Sequence, residues 1–186
     1  WYRALTLMES WAIRLSTDAT SYSRLRTLFR QHFSTRFWYE KGGYLYDVVD
    51  VDDIPGRNDA SLRPNQLFAA SLTNDLLSET QVASILTQVT QHLLTPAGLR
   101  TLSPTDPAYQ SHFNGDRLQR DRAYHQGTVW QWLIGPYCDV HLHLYNDRAA
   151  LRSLLQPFVQ QLWSSCLGTL SEVAEPEAPF TPAGCF

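Results

Sequence analysis

The chain has 186 residues, 44% of them hydrophobic and 12% aromatic, which supplies a sizeable core for a single domain over residues 1–186. With 15 basic against 18 acidic residues the net charge is −3, so there is no electrostatic footprint for nucleic acid or an anionic membrane, and a neutral polymer suits it better. No apolar run reaches the roughly 18 residues of a bilayer span, Arg3 and Glu9 stand where a signal peptide would be apolar, and the odd set Cys138, Cys166 and Cys185 lacks CxxC spacing, so reduced thiols in a cytoplasmic, soluble protein are expected.

Tyr2, Leu5, Met8, Ala12 and Leu15 recur at spacings of three and four and predict a helix over residues 1 to 16, with Met8 as core filling. A second helix over about Thr20 to Phe37 would pair with it as a hairpin. FWYEKGGYLYDVVDVDD, residues 37 to 53, is β-branched, aromatic and acidic around a Gly-Gly break, and reads as a short extended segment or loop at the mouth of a site. After Pro64 a helix runs from Asn65 to Leu72. Ser78-Glu79-Thr80-Gln81 has the pattern of a capping box and opens a helix with Val82, Ile85, Leu86, Val89 and Leu93 on its core face.

Leu99 to Trp130 has neither period. Pro104, Pro107, Gly115 and Gly127 interrupt it, and it reads as a long loop. It concentrates planar hydrogen-bonding groups and flat apolar faces, among them Asp106, Tyr109, Tyr124, His125, Gln126 and Trp130, which are what pyranose recognition requires. A solvated surface excursion is the alternative. Thr128 is placed to cap a helix starting near Val129. Asp147 is placed to cap another carrying Leu151, Leu154, Leu155, Phe158, Val159, Leu162 and Trp163, with Pro157 as a kink. CDVHLH at 138 to 143 contains metal-ligand residue types, but His141 and His143, two apart on a helix, project to different sides, so no metal site is expected. The motifs GxSxG, GxxxxGK[ST] and HExxH are absent. Helix, loop and helix repeating without strand alternation predicts an all-α fold, either a helical toroid or a generic helical bundle.

FWYEKGGYLYDVVD at 37 to 50, SLRPNQLFA at 61 to 69, LLTPAGLRTLSPTDPAY at 93 to 109 and YHQGTVW at 124 to 130 together resemble the amylo-1,6-glucosidase domain of glycogen debranching enzymes. The resemblance runs in order over nearly the whole chain. It implies a partial (α/α)6 toroid, a glucoamylase-like six-hairpin barrel, of which this chain would be the C-terminal half. The implied activity is inverting hydrolysis of α-1,6-linked glucose at branch points of glycogen-like glucans, without metal or organic cofactor.

GTLSE at 168 to 172 resembles the segment carrying the general base, which implies that role for Glu172, on a loop after a helix-ending Gly168. The general acid of the family lies in a Trp-Met-Asp motif before the position of Trp1, so the chain by itself is expected to be inactive. Arg63, Asn65, Asp106, Tyr124, His125, Gln126 and Trp130 are implied to bind substrate. Read without the family, Arg63 is a surface cation, Asn65 a helix cap, His125 a core histidine and Glu172 an exposed loop carboxylate. Gln131 stands where family members often have Pro, and Arg3 where they usually have Asn. A non-catalytic glucan-binding or scaffolding helical domain is the alternative function.

Overall fold

The computed structural model describes residues 1–73, 75–164 and 167–185. The expected hairpin opens the chain: α1 (Tyr2–Arg14) packs along α2 (Thr20–Phe37). Tyr2 meets Phe29 with ring centroids 5.8 Å apart, and Arg26 pairs with Glu9 at 2.6 Å. These contacts make Tyr2, Leu5, Glu9 and Ala12 the covered face. Met8, 38% exposed, and Leu15, 74% exposed, project to one side of it, which corrects the core-filling role expected for Met8.

The segment after α2 turns back on itself as an antiparallel pair, β1 (Trp38–Tyr39) and β2 (Tyr44–Leu45), where the Gly-Gly break predicts a turn. Gly43 has φ +71°, which costs a residue without a side chain nothing. α3 (Gln66–Ser71) and α4 (Glu79–His92) follow. At the head of α4 the capping box forms: the Gln81 amide donates to Ser78 Oγ at 3.2 Å and the Ser78 amide to Gln81 Oε1 at 3.0 Å. Val82, Ile85, Leu86, Val89 and Leu93 are all buried against Leu67, Leu99, Tyr137 and Val140.

The second half of the chain corrects the all-α expectation. β3 (Leu94–Thr95), β4 (Gly98–Arg100), β5 (Val129–Trp130), β6 (Val173–Ala174) and β7 (Pro182–Ala183) form one antiparallel sheet in that order. Two- and three-residue strands carry no alternation long enough to read, so only their pairing reveals them. The long loop at 99 to 130 is likewise interrupted by α5 (Arg117–Ala123), which has its own capping box from Asp116 and Gln119. Thr128 does not cap a helix. Its hydroxyl donates to the Ala123 carbonyl at 2.8 Å, and its own carbonyl accepts from the Thr101 amide and hydroxyl at 3.2 and 3.1 Å, which holds the following residues extended as β5.

A short 3₁₀ turn, Gln131–Leu133, leads into α6 (Ile134–Tyr145), which packs on α3 and α4. Asp147 then caps α7 (Arg148–Ser164), accepting from the amides of Ala149 and Ala150 at 3.0 Å each. Of the stripe predicted on α7, Leu151 and Phe158 are buried, whereas Val159 and Trp163 are 48% and 80% exposed. Gly168 has φ +94°, and its amide donates a hydrogen bond to Leu162 O at 2.7 Å.

Cys138 and Cys185 are free thiols, and Cys166 lies outside the described residues. Among the described residues no group of three or more His, Cys, Asp or Glu is placed to hold a metal ion, and no helix is long and apolar enough to cross a membrane.

Candidate active site

The segments 37–65, 99–128 and 168–184 are joined by direct contacts. Segments 37–65 and 99–128 meet, together with residues 130–133, around a cavity of about 310 Å³ lined by Asp47, Arg63, Pro64, Asn65, Thr101, His125, Trp130, Trp132 and Leu133, while 168–184 lines none of it and contacts the 99–128 segment through Glu172, Pro176 and Glu177. Arg63 is the brace. It precedes α3, its side chain is only 17% exposed, and its guanidinium donates to Thr101 O at 3.1 Å, His125 O at 2.6 Å and Gln126 Oε1 at 2.8 Å. Its Nε also lies 3.4 Å from Asp47 Oδ2. One planar fork thus fixes two loops that are about 40 and 60 residues away in sequence, a task suited to the rigid five-donor geometry of arginine.

Asn65, at the helix entrance, makes no capping bond; its Nδ2 donates to Asp47 Oδ1 at 3.0 Å. Asp47 therefore stands in the wall with one oxygen bound by Asn65 and the other beside Arg63. A carboxylate has about four acceptor positions, which leaves it able to accept from a sugar hydroxyl. Reading the sequence missed Asp47, because YLYDVVD supplies two acidic residues in an acid-rich stretch and only the fold selects one. Trp132 was missed too: it lines the cavity, is 57% exposed, and lies on Phe68 with centroids 5.7 Å apart.

The YHQGTVW segment forms the aromatic wall. His125 stacks on Trp130 at 5.3 Å and 15°, and Tyr124 meets both rings edge-on at 4.9 and 4.8 Å. Trp130 Nε1 donates back to Tyr124 O at 2.9 Å, which locks the indole in place. Gly127, φ +139°, permits the tight crossing that makes this possible, since a Cβ there would sit 2.5 Å from Gln110 O and 2.7 Å from the Tyr109 ring. Of the expected binding residues, Arg63, Asn65, His125 and Trp130 line the cavity. Gln126, Tyr124 and Asp106 do not: Gln126 is engaged behind the wall by Arg63, and Asp106 Oδ1 accepts from the Ala108 amide at 2.8 Å in a local turn.

Glu172 is not in the cavity wall either; it is linked to it through Tyr124. The Tyr124 hydroxyl donates to Glu172 Oε1, and the Cys185 amide donates to Oε2 at 3.0 Å, while the Glu172 amide donates to Cys185 O at 2.9 Å. Gly184 admits this approach, because a Cβ at that position would lie 2.6 Å from Glu172 Oε2. The Tyr124 hydroxyl, followed by the Cys185 amide, holds the Glu172 carboxyl below its usual range. The same bond, with burial, pushes the Tyr124 phenol up to about 12. The pair is thus a fixed arrangement of ionised carboxylate and neutral phenol at neutral pH.

The CDVHLH segment lies on α6, away from these groups. His141 sits between Tyr137 and Tyr145 at 6.3 and 5.1 Å, an aromatic row at helical spacing, and His143 is exposed.

Comparison with known proteins places this geometry. Part of the chain is 31% identical over 93 residues to the glycogen debranching enzyme of Saccharomyces cerevisiae, a match covering 47% of this chain and 6% of that protein. Among solved structures, the GH63 mannosylglycerate hydrolase of Thermus thermophilus superposes on 100% of this chain with a TM-score of 0.70 at 15% identity, and this chain spans 40% of its length. The neutral trehalase Nth1 of Saccharomyces cerevisiae superposes on 90% with a TM-score of 0.61 at 11% identity, the match spanning 28% of that protein. At such identities these structures share the fold alone. Residues 1–186 match the amylo-alpha-1,6-glucosidase family from end to end, and the chain belongs to that family.

Proposed function

We propose that this chain is the C-terminal portion of an amylo-α-1,6-glucosidase domain, part of an (α/α)6 toroid, in a cytoplasmic glycogen debranching enzyme. Its substrate is the single α-1,6-linked glucose at a trimmed branch of a glycogen-like glucan. The observation that carries this reading is the pairing of Glu172 with Tyr124, whose ring is part of the His125–Trp130 aromatic cluster. An inverting glycosidase needs a carboxylate that is ionised at neutral pH and is set back far enough to leave room for a water, with the two carboxyl groups about 6.5–9.5 Å apart. Glu172, removed from the wall and held ionised, suits the general base. The acid is the Asp of the family's Trp-Met-Asp motif.

In the reaction, the glucosyl ring occupies the cavity with a face on Trp130 and hydroxyls toward Asp47 and Asn65. Glu172 takes a proton from water as its oxygen attacks the anomeric carbon. The acid protonates the leaving oxygen, and the glucan chain departs with its 6-hydroxyl restored. The test is the anomer first released from a 6-O-α-glucosyl dextrin by the full-length enzyme, followed by NMR. β-Glucose is expected; α-glucose as the first product, or no release, overturns the reading. The 186-residue chain assayed alone is expected to release no glucose, since it carries one member of the acid and base pair. Turnover by that chain would show that both members lie within it.

The Tyr124 bond also predicts a pH effect. A donor to the charged form lowers a carboxyl pKa, so Tyr124→Phe returns the Glu172 pKa toward its ordinary value. The acid limb of the kcat/KM profile is expected to move to higher pH, with the alkaline limb unchanged. An unmoved acid limb would show that Tyr124 does not tune the base. The stability that this bond contributes is present above the unfolded carboxyl pKa and is lost as pH falls through the lowered folded value, so acid melts of Tyr124→Phe should converge on those of the parent.

A further inference from the structure

We infer that Gln131, through Ser171, is a positioning residue for Glu172, coupling the aromatic wall of the cavity to the base; this rests on the reading of Glu172 given above. Gln131 directly follows Trp130, whose indole is part of the cavity wall. Its side chain turns inward and is only 2% exposed. Gln131 Nε2 donates to Ser171 Oγ at 2.7 Å, and Ser171, itself 3% exposed, donates its hydroxyl to Val173 O at 2.8 Å. Residues 171 and 173 flank Glu172, so the serine hydroxyl closes a loop around the base, and the glutamine ties that loop to β5.

Packing energy does not favour this arrangement. Burying an amide costs free energy unless both ends are satisfied, and Gln131 Oε1 accepts no hydrogen bond from the described residues. An apolar side chain of similar size would fill the space more cheaply. What the amide adds is direction: a buried hydrogen bond of fixed length sets the rotation of the Ser171–Val173 backbone. β5 and β6 are already paired, with Trp130 opposite Val173, so the sheet fixes the spacing of the two segments. The Gln131–Ser171 link fixes how the intervening Glu172 is aimed. Displacement of a reacting group by about 1 Å costs up to 10²-fold in rate.

The test is a double-mutant cycle in the full-length enzyme, with kcat and KM measured on a 6-O-α-glucosyl dextrin for Gln131→Leu, Glu172→Gln and the pair. Gln131→Leu is expected to lower kcat by about 10- to 100-fold with KM within about two-fold of the parent. In the Glu172→Gln background the same change is expected to cost nothing further in kcat, because the group it positions is gone. A merely structural glutamine would lower kcat equally in both backgrounds, or raise KM, and either result overturns the proposal. Ser171→Ala carries the same cycle should Gln131→Leu fail to fold, with the same expectations. If Glu172→Gln keeps full turnover, the assignment of the base fails and the positioning role fails with it. If Glu172→Gln is inactive while Gln131→Leu and Ser171→Ala match the parent, only the positioning role fails.

Discussion

Glu172→Gln in the full-length enzyme is expected to lower kcat by about 10²- to 10⁴-fold, the usual worth of general acid–base catalysis. The substitution preserves size but removes the proton acceptor. Its amide can still accept from the Cys185 amide through Oε1, but toward the Tyr124 hydroxyl it presents an NH₂, so that hydrogen bond reverses direction. On the proposed reading the loss falls on the transition state, because Glu172 is not in the cavity wall that would hold the glucosyl ring. KM should therefore change little while kcat and kcat/KM fall together. Glu175→Gln is the control. It keeps an acceptor for the Phe113 amide, which Glu175 Oε2 binds at 2.8 Å, and should stay near the parent. Near-parental kcat for both variants would show that Glu172 is not the base.

The second large effect is expected at Arg63, and it should fall on binding and stability. Arg63→Met keeps the length of the side chain and removes the fork. Thr101 O, His125 O and Gln126 Oε1 then lose a donor together, and Asp47 loses its ion-pair partner. Breaking a buried charge pair costs about 3–5 kcal/mol. Asp47 is 16% exposed beside an open cavity, so water returns part of this and a loss near the lower end, about 3 kcal/mol, is expected. The wall of the cavity also loses its tie to the 124–126 turn, so glucose binding should weaken by tenfold or more, each tenfold being about 1.4 kcal/mol. Arg63→Lys should recover the pairing with Asp47 but not the bridge, since an ammonium cannot span three separated acceptors in a plane. Denaturant unfolding and glucose titration measure the two effects. An Arg63→Met protein with parental stability and parental glucose affinity would mean that Arg63 is a dispensable surface cation.

Those two residues also mark where reading the sequence succeeds and where it stops. The capping box at Ser78 and Gln81, the Asp147 cap and the apolar face of α4 were legible because each is decided within four residues: the donor, the acceptor and the helical period are all local. The α1–α2 hairpin was legible for the same reason. Met8 was misread because a stripe gives the direction of a face but not the width of what covers it.

The sheet was hidden in a different way. Leu99 pairs with Trp130 and Trp130 with Val173, so strands of two or three residues exist only because partners 31 and 43 positions away complete their hydrogen bonds. Local propensity cannot supply that information, and the same long-range bonds hold Val129 and Trp130 extended, so the helix predicted to start near Val129 begins only with the 3₁₀ turn at Gln131 and α6 at Ile134. The site divides along this line. Motif resemblance pointed to Arg63, Asn65, Asp106, Tyr124, His125, Gln126, Trp130 and Glu172 as a set, and the chain alone determined their chemical types and order. Only the tertiary structure decided which groups face the cavity, that Asp47 and Trp132 join them, that the donors of Arg63 are spent on the protein itself, and that Glu172 reaches the site through Tyr124. A side chain's role depends on which of its donors and acceptors remain unused after folding, and that balance is fixed by neighbours that are distant in sequence.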